Sequence, residues 1–295
     1  MKFGINIVGV RPEAIVDVAQ AAEELGFESI WSGEHVALPK HDDWWKSHPA
    51  VEIYGDRFSE RMLGFTPDSQ FLEPLVALAH LAAVTRTIRL GIGVYMLALR
   101  NPIHAARAIA SVDVLSGGRL DLAVGLGWCE EEYRYTGSDW RTRGRRTEEA
   151  IACLRTLFED DTPEYHGEFY DFGPIGFSPK PVQRPRLPIH IGGHSQAAVN
   201  RAARVADGWY GTTDLRYVDR VRVALEEAGR GDDPFEISII TLEGPVDEAR
   251  VARFAARGIE RVVVTPWPEA HAGTVGLDGL AALERCAAVA GLGGS

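Results

Sequence analysis

Short runs of β-branched and aromatic residues alternate with longer segments of helical period along the whole chain. The runs that predict strands are, in order, FGINIV, FESIWSG, TIRLGIGVYM, RLDLAVGLG, LPIHIGG, DGWYG, FEISII and RVVVTP. Each run precedes a segment whose apolar residues lie three and four positions apart, which is the spacing of an amphipathic helix. Near-continuous apolar strands that alternate with helices indicate a parallel sheet with right-handed crossovers.

Eight such strand–helix units predict the fold class, an α/β fold of the (β/α)8 TIM-barrel type built from the single domain 1–295. A doubly wound open sheet is the alternative topology. Two connections are longer than a barrel needs. They are an extended loop at 36–70, after the second strand, and an insertion at 161–186, before the fifth. Long connections inside a compact domain are typical of functional or disordered segments.

Composition narrows the class of partner. The chain has 45% hydrophobic residues and a formal net charge of −11, which argues against nucleic acid as the main partner. It contains no apolar run long enough to span a membrane and no cleavage-site pattern at its N-terminus. Three widely spaced cysteines suit a reducing compartment. We therefore expect a cytoplasmic protein that acts on a small molecule.

The second predicted strand ends in an acid and an imidazole, Glu34 and His35. In a TIM barrel the carboxyl ends of the strands form the active-site face, so both residues are predicted at the mouth. The alternative is that His35 caps the barrel and Glu34 pairs with an arginine. The loop that follows carries aromatic residues that could line a pocket, form a lid or pack as a small core. They are Trp44, Trp45, His48, Tyr54, Phe58 and Phe65.

Glycines end the fourth and fifth predicted strands, at 125–128 and 192–195. Glycine permits close approach of the backbone, and the free amides at the start of a helix favour an anion. The turn after the fifth strand is therefore the better candidate for a phosphate, whereas the turn after the last strand lacks glycine. The alternative is a plain capped turn, with Ser195 as the N-cap.

Two more glycines, Gly91 and Gly93, interrupt the third predicted strand. They predict a bulge, or the close approach of a flat ring system, although packing could explain one of them. The run RTRGRR at 141–146 is typical of a solvated helix start from which one arginine could reach inward.

Other kinds of chemistry find little support. The histidines show no HxH or HExxH spacing, so no metal site is predicted. There is no GxSxG elbow, and Cys129 has no obvious paired base. Metal-dependent and nucleophilic catalysis are therefore disfavoured.

Two long segments resemble the bacterial luciferase-like superfamily of flavin and deazaflavin oxidoreductases. They are NPIHAARAIASVDVLSGGRLDLAVGLGW and SPKPVQRPRLPIHIGGHSQAAVNRAARVADGWYG. The resemblance covers nearly the whole chain and is greatest for the branch assigned to coenzyme F420, an 8-hydroxy-5-deazaflavin. It implies a luciferase-like (β/α)8 barrel, a tricyclic ring across the mouth, and a homodimer.

The resemblance also implies roles for residues at the mouth. Glu34 and His35 stand where deazaflavin enzymes often carry an acid–histidine pair beside the reactive carbon of the ring. His35 would exchange the proton that accompanies hydride transfer, and Glu34 would orient His35 or bond the polar edge of the ring. Gly93 and Val94 fall at a bulge that often holds a non-prolyl cis peptide.

The cofactor tail and phosphate would lie against the turns after the fourth and fifth strands. The residues implied are Gly125, Gly127, Trp128, Gly192, Gly193, His194 and Ser195. Trp128 departs from an acidic residue found in some deazaflavin enzymes. The lysines that bind phosphate in others have no counterpart that we can locate, so Arg216 is the candidate substitute.

The leading functional hypothesis is hydride transfer between coenzyme F420 and a small organic substrate. An FMN-dependent monooxygenase, which uses reduced flavin and oxygen, is the second hypothesis. His35 serves equally well in both, so the cofactor must discriminate between them. The third is a barrel that binds or carries a cofactor without catalysis.

Overall fold

The structure is a computed structural model that describes residues 1–48, 51, 55, 63, 65–242, 244, 246–267 and 275–292. Eight parallel strands close into a barrel in the order β1-β2-β3-β4-β7-β8-β9-β10. They are β1 Lys2–Asn6, β2 Ser29–Ser32, β3 Arg89–Tyr95, β4 Leu120–Val124, β7 Ile189–Gly192, β8 Gly208–Thr212, β9 Glu236–Thr241 and β10 Arg261–Val264. The first strand pairs with the last, with Phe3 opposite Val262. The predicted barrel is confirmed, and the open sheet is wrong.

The helices lie where the sequence predicts them, with one addition. They are α1 Ile15–Glu24, α2 Pro74–Val84, α3 Pro102–Leu115, α4 Glu130–Tyr135, α5 Arg143–Glu159, α6 Gln196–Val205, α7 Leu215–Glu227, α8 Glu248–Ala256 and α9 Leu280–Val289. The short helix α4 was not predicted, because EEEYRY is too short to show helical period. In the described ranges, no helix is both long and apolar enough to cross a membrane.

The insertion before the fifth barrel strand contains a small antiparallel hairpin, β5 Tyr165–His166 and β6 Asp171–Phe172. It joins the end of α5 to the start of β7, so it lies at the amino-terminal end of the barrel, opposite the mouth. Its length therefore adds nothing to the face where barrel enzymes hold their active sites.

Two aromatic rings fill the barrel interior below the mouth. Trp31 and Tyr210 stack with their centroids 4.8 Å apart. A Cβ on Gly91 would overlap the Trp31 indole, and a Cβ on Gly93 would lie 2.6 Å from the Tyr210 ring. The flat groups that approach these two glycines are thus side chains of the protein, which corrects the expectation that a cofactor ring explains them.

Candidate active site

The imidazole of His35 faces a buried carboxylate from the other side of the mouth. Its Nδ1 lies 3.0 Å from Oε2 of Glu132, a side chain with no exposed surface. The other oxygen, Oε1, accepts hydrogen bonds from the amides of Val36 at 2.6 Å and Ala37 at 3.4 Å. The carboxylate that orients His35 is therefore Glu132, and the expectation that Glu34 does so is wrong.

No pattern in the sequence indicates this role of Glu132. It is the third of three consecutive acids, and the other two, Glu130 and Glu131, are exposed or half-buried. Only the fold of α4 decides which of them turns inward. The hydroxyl of Tyr133 fixes that helix by donating to the Leu126 carbonyl in the turn after β4.

Glu34 instead connects the ends of β2 and β3. Its buried carboxylate accepts a hydrogen bond from the Met96 amide at 2.6 Å and pairs with the Arg100 guanidinium. Burial raises the pKa of Glu34 against the lowering effect of Arg100. The alternative considered from sequence, that Glu34 pairs with an arginine, is the arrangement found. Glu34 thus ties the end of β2 to the chain after β3.

Aromatic rings enclose the His35 imidazole. Phe65, Phe71 and Trp128 have ring centroids 4.9, 5.3 and 5.4 Å from it, and the His35 side chain is 9% exposed. Because the rings surround the imidazole, His35 lies in a site with little water.

The loop after β2 is both a small core and a cover. Trp44 is buried and contacts Phe65 and Trp128, at centroid distances of 5.7 and 5.9 Å. Trp45 packs against this cluster, which lies over the mouth. The two alternatives proposed for the loop therefore hold together. Tyr54 and Phe58 lie outside the described residues.

His48 brings this loop close to the turn after β4. Its ring centroid is 5.0 Å from that of Trp128. Burial, assisted by the nearby His35 and His194, lowers the pKa of His48 to about 3. His48 is therefore neutral around pH 7 and adds no charge to the mouth.

The floor of the mouth is built around a non-prolyl cis peptide between Gly93 and Val94. The register of β3 against β4 shifts at this point, as a bulge requires. The Val94 side chain occupies the space that a Cβ on Gly125 or Gly192 would need. The expected bulge is confirmed, and these four residues meet at one point.

The turn after β7 starts a helix, as expected. Gly193 has a φ of 115°, which favours glycine. The Ser195 hydroxyl caps α6 by accepting a hydrogen bond from the Ala198 amide at 3.2 Å. His194 contacts the ring of Tyr217, with centroids 5.5 Å apart. The capped turn is thus present, and the first amides of α6 open toward the mouth.

The turn after β4 lies beside the floor. Gly127 has a φ of 70°, and a Cβ there would lie 2.5 Å from the Met96 sulfur. Trp128, the departure noted in the sequence, contacts His35, His48 and Trp44. Its position at the mouth agrees with the expectation, and its contact with a cofactor tail stays a prediction.

Two arginines point buried donors into the space between α5 and α6. Among the described residues, Nε of Arg143, Nη1 of Arg201 and Oγ1 of Thr147 are buried without a hydrogen-bond partner. Arg201 is 6% exposed and uses its Nε on Glu148, 2.9 Å away. Burial lowers the pKa of Arg143, and the nearby Arg201 lowers it further. Two neighbouring arginines that each keep a buried donor unused, although Arg201 also pairs with Glu148, indicate an anion site.

This cluster answers which arginine of RTRGRR reaches inward: it is Arg143. Arg216, the candidate substitute for a phosphate-binding lysine, is 77% exposed and pairs with Asp214 at 2.6 Å, so it does not serve. Arg201 was missed, although an arginine on the apolar side of SQAAVNRAARVA was a usable signal.

The exclusion of Cys129 as a nucleophile has a structural counterpart. Burial raises the pKa of the Cys129 thiol to about 12, so little thiolate forms near neutral pH. The part of the chain that the structure describes contains no group of three or more His, Cys, Asp or Glu side chains placed to hold a metal ion.

Comparison with known proteins agrees with this geometry. The family model described as luciferase-like monooxygenase matches residues 1–246. An uncharacterised protein of Mycobacterium tuberculosis is 36% identical over 254 residues, which are 84% of this chain and 83% of that protein. An FMNH(2)-dependent dimethylsulfone monooxygenase of Pseudomonas putida is 41% identical over 115 residues, 38% of this chain and 31% of that one.

Solved structures share the fold across the whole length. An F420-dependent secondary alcohol dehydrogenase, in complex with an F420-acetone adduct, superposes with a TM-score of 0.72 at 15% sequence identity. The match covers 97% of each chain. The family model spans seven of the eight barrel strands, from β1 to β9, and the turns after β2, β3, β4 and β7 that form the mouth. The chain therefore belongs to the luciferase-like family of TIM-barrel oxidoreductases and monooxygenases.

Proposed function

We propose that this chain is a coenzyme F420-dependent oxidoreductase that transfers a hydride between the deazaflavin and a small organic substrate. One observation carries the proposal: an imidazole with a dedicated carboxylate lies at the mouth, at the end of the strand next to the one whose bulge at Gly93 and Val94 forms the floor. His35 follows β2 and the floor ends β3, and these strands are neighbours in the barrel, with Ser32 opposite Ile92.

The residues at the mouth fit a flavin-like cofactor. Val94 is half-buried and offers an apolar surface on which a flat ring could lie, and the glycines around it keep that surface free of other side chains. The coenzyme, when bound, supplies the atom that accepts or releases the hydride.

The phosphate of such a cofactor would be held by Arg143, Arg201 and Thr147, whose buried donors lack partners among the described residues. Side chains on a helix lean toward its N-terminus, so Arg201 is directed toward the start of α6. The amides that follow Ser195 favour the same negative charge.

His35 and the residues around it would exchange the proton that accompanies hydride transfer. Its Nδ1 faces Glu132, so the second ring nitrogen, Nε2, is the atom placed to exchange a proton with the substrate. The rings of Phe65, Phe71 and Trp128 restrict the access of water to the imidazole. Glu34 holds the two strand ends in place.

An FMN-dependent monooxygenase is the second candidate, because the segment shared with the dimethylsulfone monooxygenase is 41% identical. The same residues would serve it: the arginines for the phosphate, the aromatic rings for the exclusion of water, and His35 for proton exchange. The choice of cofactor separates the two candidates.

Titration with each cofactor tests the proposal. F420 and FMN, oxidised and reduced, are added to the protein while tryptophan fluorescence is followed, because Trp44 and Trp128 lie at the mouth. We expect tighter binding of F420, followed by turnover with alcohols or carbonyl compounds. Preferential binding of FMN, with oxygen-dependent product formation, would favour the monooxygenase. Tight binding without turnover of any compound would favour the cofactor carrier.

A matched pair of variants locates the phosphate. Arg201→Met removes a buried donor, whereas Arg204→Met removes a 51% exposed arginine that pairs with the same Glu148 at 2.9 Å. A hydrogen bond to a charged group contributes about 1.5–3 kcal/mol, so Arg201→Met should weaken cofactor binding roughly 10- to 100-fold. Equal effects of the two changes would contradict this site.

We also propose that the chain forms a homodimer through α2 and α3. α2 has almost no polar residues, although Val76 on its outer face is 68% exposed, and Leu115 at the end of α3 is 70% exposed. A helix that is apolar on all sides is typical of a buried one. Light scattering coupled to gel filtration should give twice the chain mass, and Val76→Glu should lower it.

A further inference from the structure

We infer that Glu132 is the positioning residue that fixes the tautomer of His35, with the proton on Nδ1 and a free Nε2. The inference rests on the proposed function for its catalytic meaning. It goes beyond that function because it assigns a role to a residue on a different strand–helix unit, 97 positions away in sequence.

The assignment follows from what each atom can do. The Val36 amide can only donate, so Oε1 of Glu132, 2.6 Å away, must accept. An ionised carboxylate accepts at its other oxygen as well, and Oε2 lies 3.0 Å from Nδ1 of His35. The hydrogen between them therefore belongs to Nδ1, and the neutral imidazole presents Nε2 as an acceptor.

The carboxylate has little freedom to move. Glu132 is fully buried, and the neighbouring Tyr133 hydroxyl ties α4 to the Leu126 carbonyl. The amides of Val36 and Ala37, directly after His35, hold Oε1 in place. A single carboxylate thus fixes both the backbone after His35 and the direction of its ring.

This geometry gives an unusual result for Glu132→Gln. The Val36 amide still requires an acceptor, so the carboxamide oxygen takes the Oε1 position and the NH2 group faces Nδ1. Nδ1 must then accept, which moves the ring proton to Nε2. The variant keeps the shape of the site and reverses the tautomer. An asparagine in place of the triad aspartate of serine proteases has this effect and lowers kcat about 10⁴-fold.

The test is histidine 15N NMR on the full chain, with His35→Asn used to assign the His35 signals. We expect the Nδ1–H tautomer in the unmodified protein and the Nε2–H tautomer in Glu132→Gln. Glu131→Gln, the same change on the adjacent residue, whose side chain is 32% exposed, should leave the signals unchanged. An Nε2–H tautomer in the unmodified protein would overturn the inference, whether or not any variant folds.

Turnover supplies the second measurement. With F420, Glu132→Gln should lower kcat by about 10²–10⁴-fold, the usual contribution of a positioned acid–base group, with little change in KM. In the His35→Asn background the same change should cost no more. A loss of kcat with an unchanged tautomer would reduce Glu132 to a structural role and overturn the inference. If F420 supports no turnover but the tautomer reverses, the proposed function fails and the positioning of His35 stands.

Discussion

The two ends of the barrel both bury charged side chains, but they pair them differently. At the amino-terminal end, Arg261 is 1% exposed and bonds both oxygens of Glu28, at 2.9 and 2.7 Å. It also pairs with Glu236 and lies 3.5 Å from Asp121. At the mouth, Glu34 and Glu132 each have one side-chain partner, Arg100 or His35, and also accept hydrogen bonds from backbone amides of the chain segments that follow the strands.

The charged side chains have a structural role at the amino-terminal end and a positioning role at the mouth. The charges at the amino-terminal end lie on or next to barrel strands, at positions fixed by strand register, and they satisfy one another. The carboxylates at the mouth fix loops, and they leave one imidazole nitrogen and a half-buried Val94 facing the place where chemistry is expected. A TIM barrel is typically stabilised at its amino-terminal end and works at the other.

Cavity volume alone would place the active site at the amino-terminal end of the barrel. A cavity of about 1290 Å³ opens at the amino-terminal end, lined by residues that include Arg261, Asp121 and Arg186. These charges are already paired: Arg186 bonds Asp207 at 2.5 Å, and Asp121 bonds Arg89 at 2.7 Å. We therefore assign the site by the chemistry of the mouth and not by volume.

The strongest test of the comparison removes the centre of the amino-terminal cluster. Arg261→Met leaves the half-buried carboxylates of Glu28 and Glu236 without their main partner, which should cost about 3 kcal/mol of unfolding free energy, the low end for a fully buried pair. The control is Arg257→Met, which breaks an exposed pair with Asp219 and should cost about 1 kcal/mol or less. Denaturant unfolding measures both. Equal losses would mean that the cluster has no special structural role.

At the mouth the expected effect is on turnover. His35→Asn removes the group that exchanges the proton, so kcat should fall about 10²–10⁴-fold. The unfolding free energy should fall by about 1 kcal/mol, because the asparagine side chain keeps part of the packing that the His35 ring makes with the aromatic residues around it. His166→Asn, on the exposed hairpin, is the control and should preserve kcat. Unchanged turnover in a folded His35→Asn variant would contradict the functional role assigned to the mouth.

Acid should weaken the amino-terminal end through Glu236. Burial opposes ionisation of Glu236, but Arg261, then His190 and Lys2, lower its pKa to about 2 from 4.5. A depressed pKa means that the ionised group stabilises the fold fully above pH 4.5 and that this contribution is lost as the pH falls toward 2. The loss is about 3 kcal/mol at most.

Urea unfolding at a series of pH values measures this contribution. The unmodified protein should lose stability between pH 4.5 and 2 more steeply than Glu236→Gln, which has no carboxylate there to protonate. Parallel curves for the two proteins would show that the charge of Glu236 contributes nothing to the fold.

The sequence predicts the barrel better than it predicts the partners at its mouth. Strand and helix positions follow from local periodicity, and the position of His35 follows from the rule that strand ends face the active site. The identity of Glu132 does not, because only tertiary packing selects it from three adjacent acids. The same holds for Arg143 and Arg201, which belong to different helices and meet only in the fold.

The glycines show a second limit. Gly91 and Gly93 were correctly linked to a bulge and to the approach of flat rings, but the rings belong to Trp31 and Tyr210. A glycine in a strand indicates that another group lies close to the backbone, but it does not identify that group. Only the three-dimensional structure separates a packed core from a ligand site at such a position.

The smallest expected effect concerns the start of α6, where structural and functional roles overlap. Ser195→Ala removes the hydroxyl that accepts from the Ala198 amide, which should cost about 1 kcal/mol of stability, as for other N-caps. If the start of α6 also binds the cofactor phosphate, the variant should lower cofactor affinity as well. Ser195→Gly should restore much of the stability, because glycine is a tolerable N-cap, but not the hydroxyl. Full recovery of affinity in the glycine variant would mean that Ser195 acts only as a helix cap and that its hydroxyl makes no contact with the cofactor.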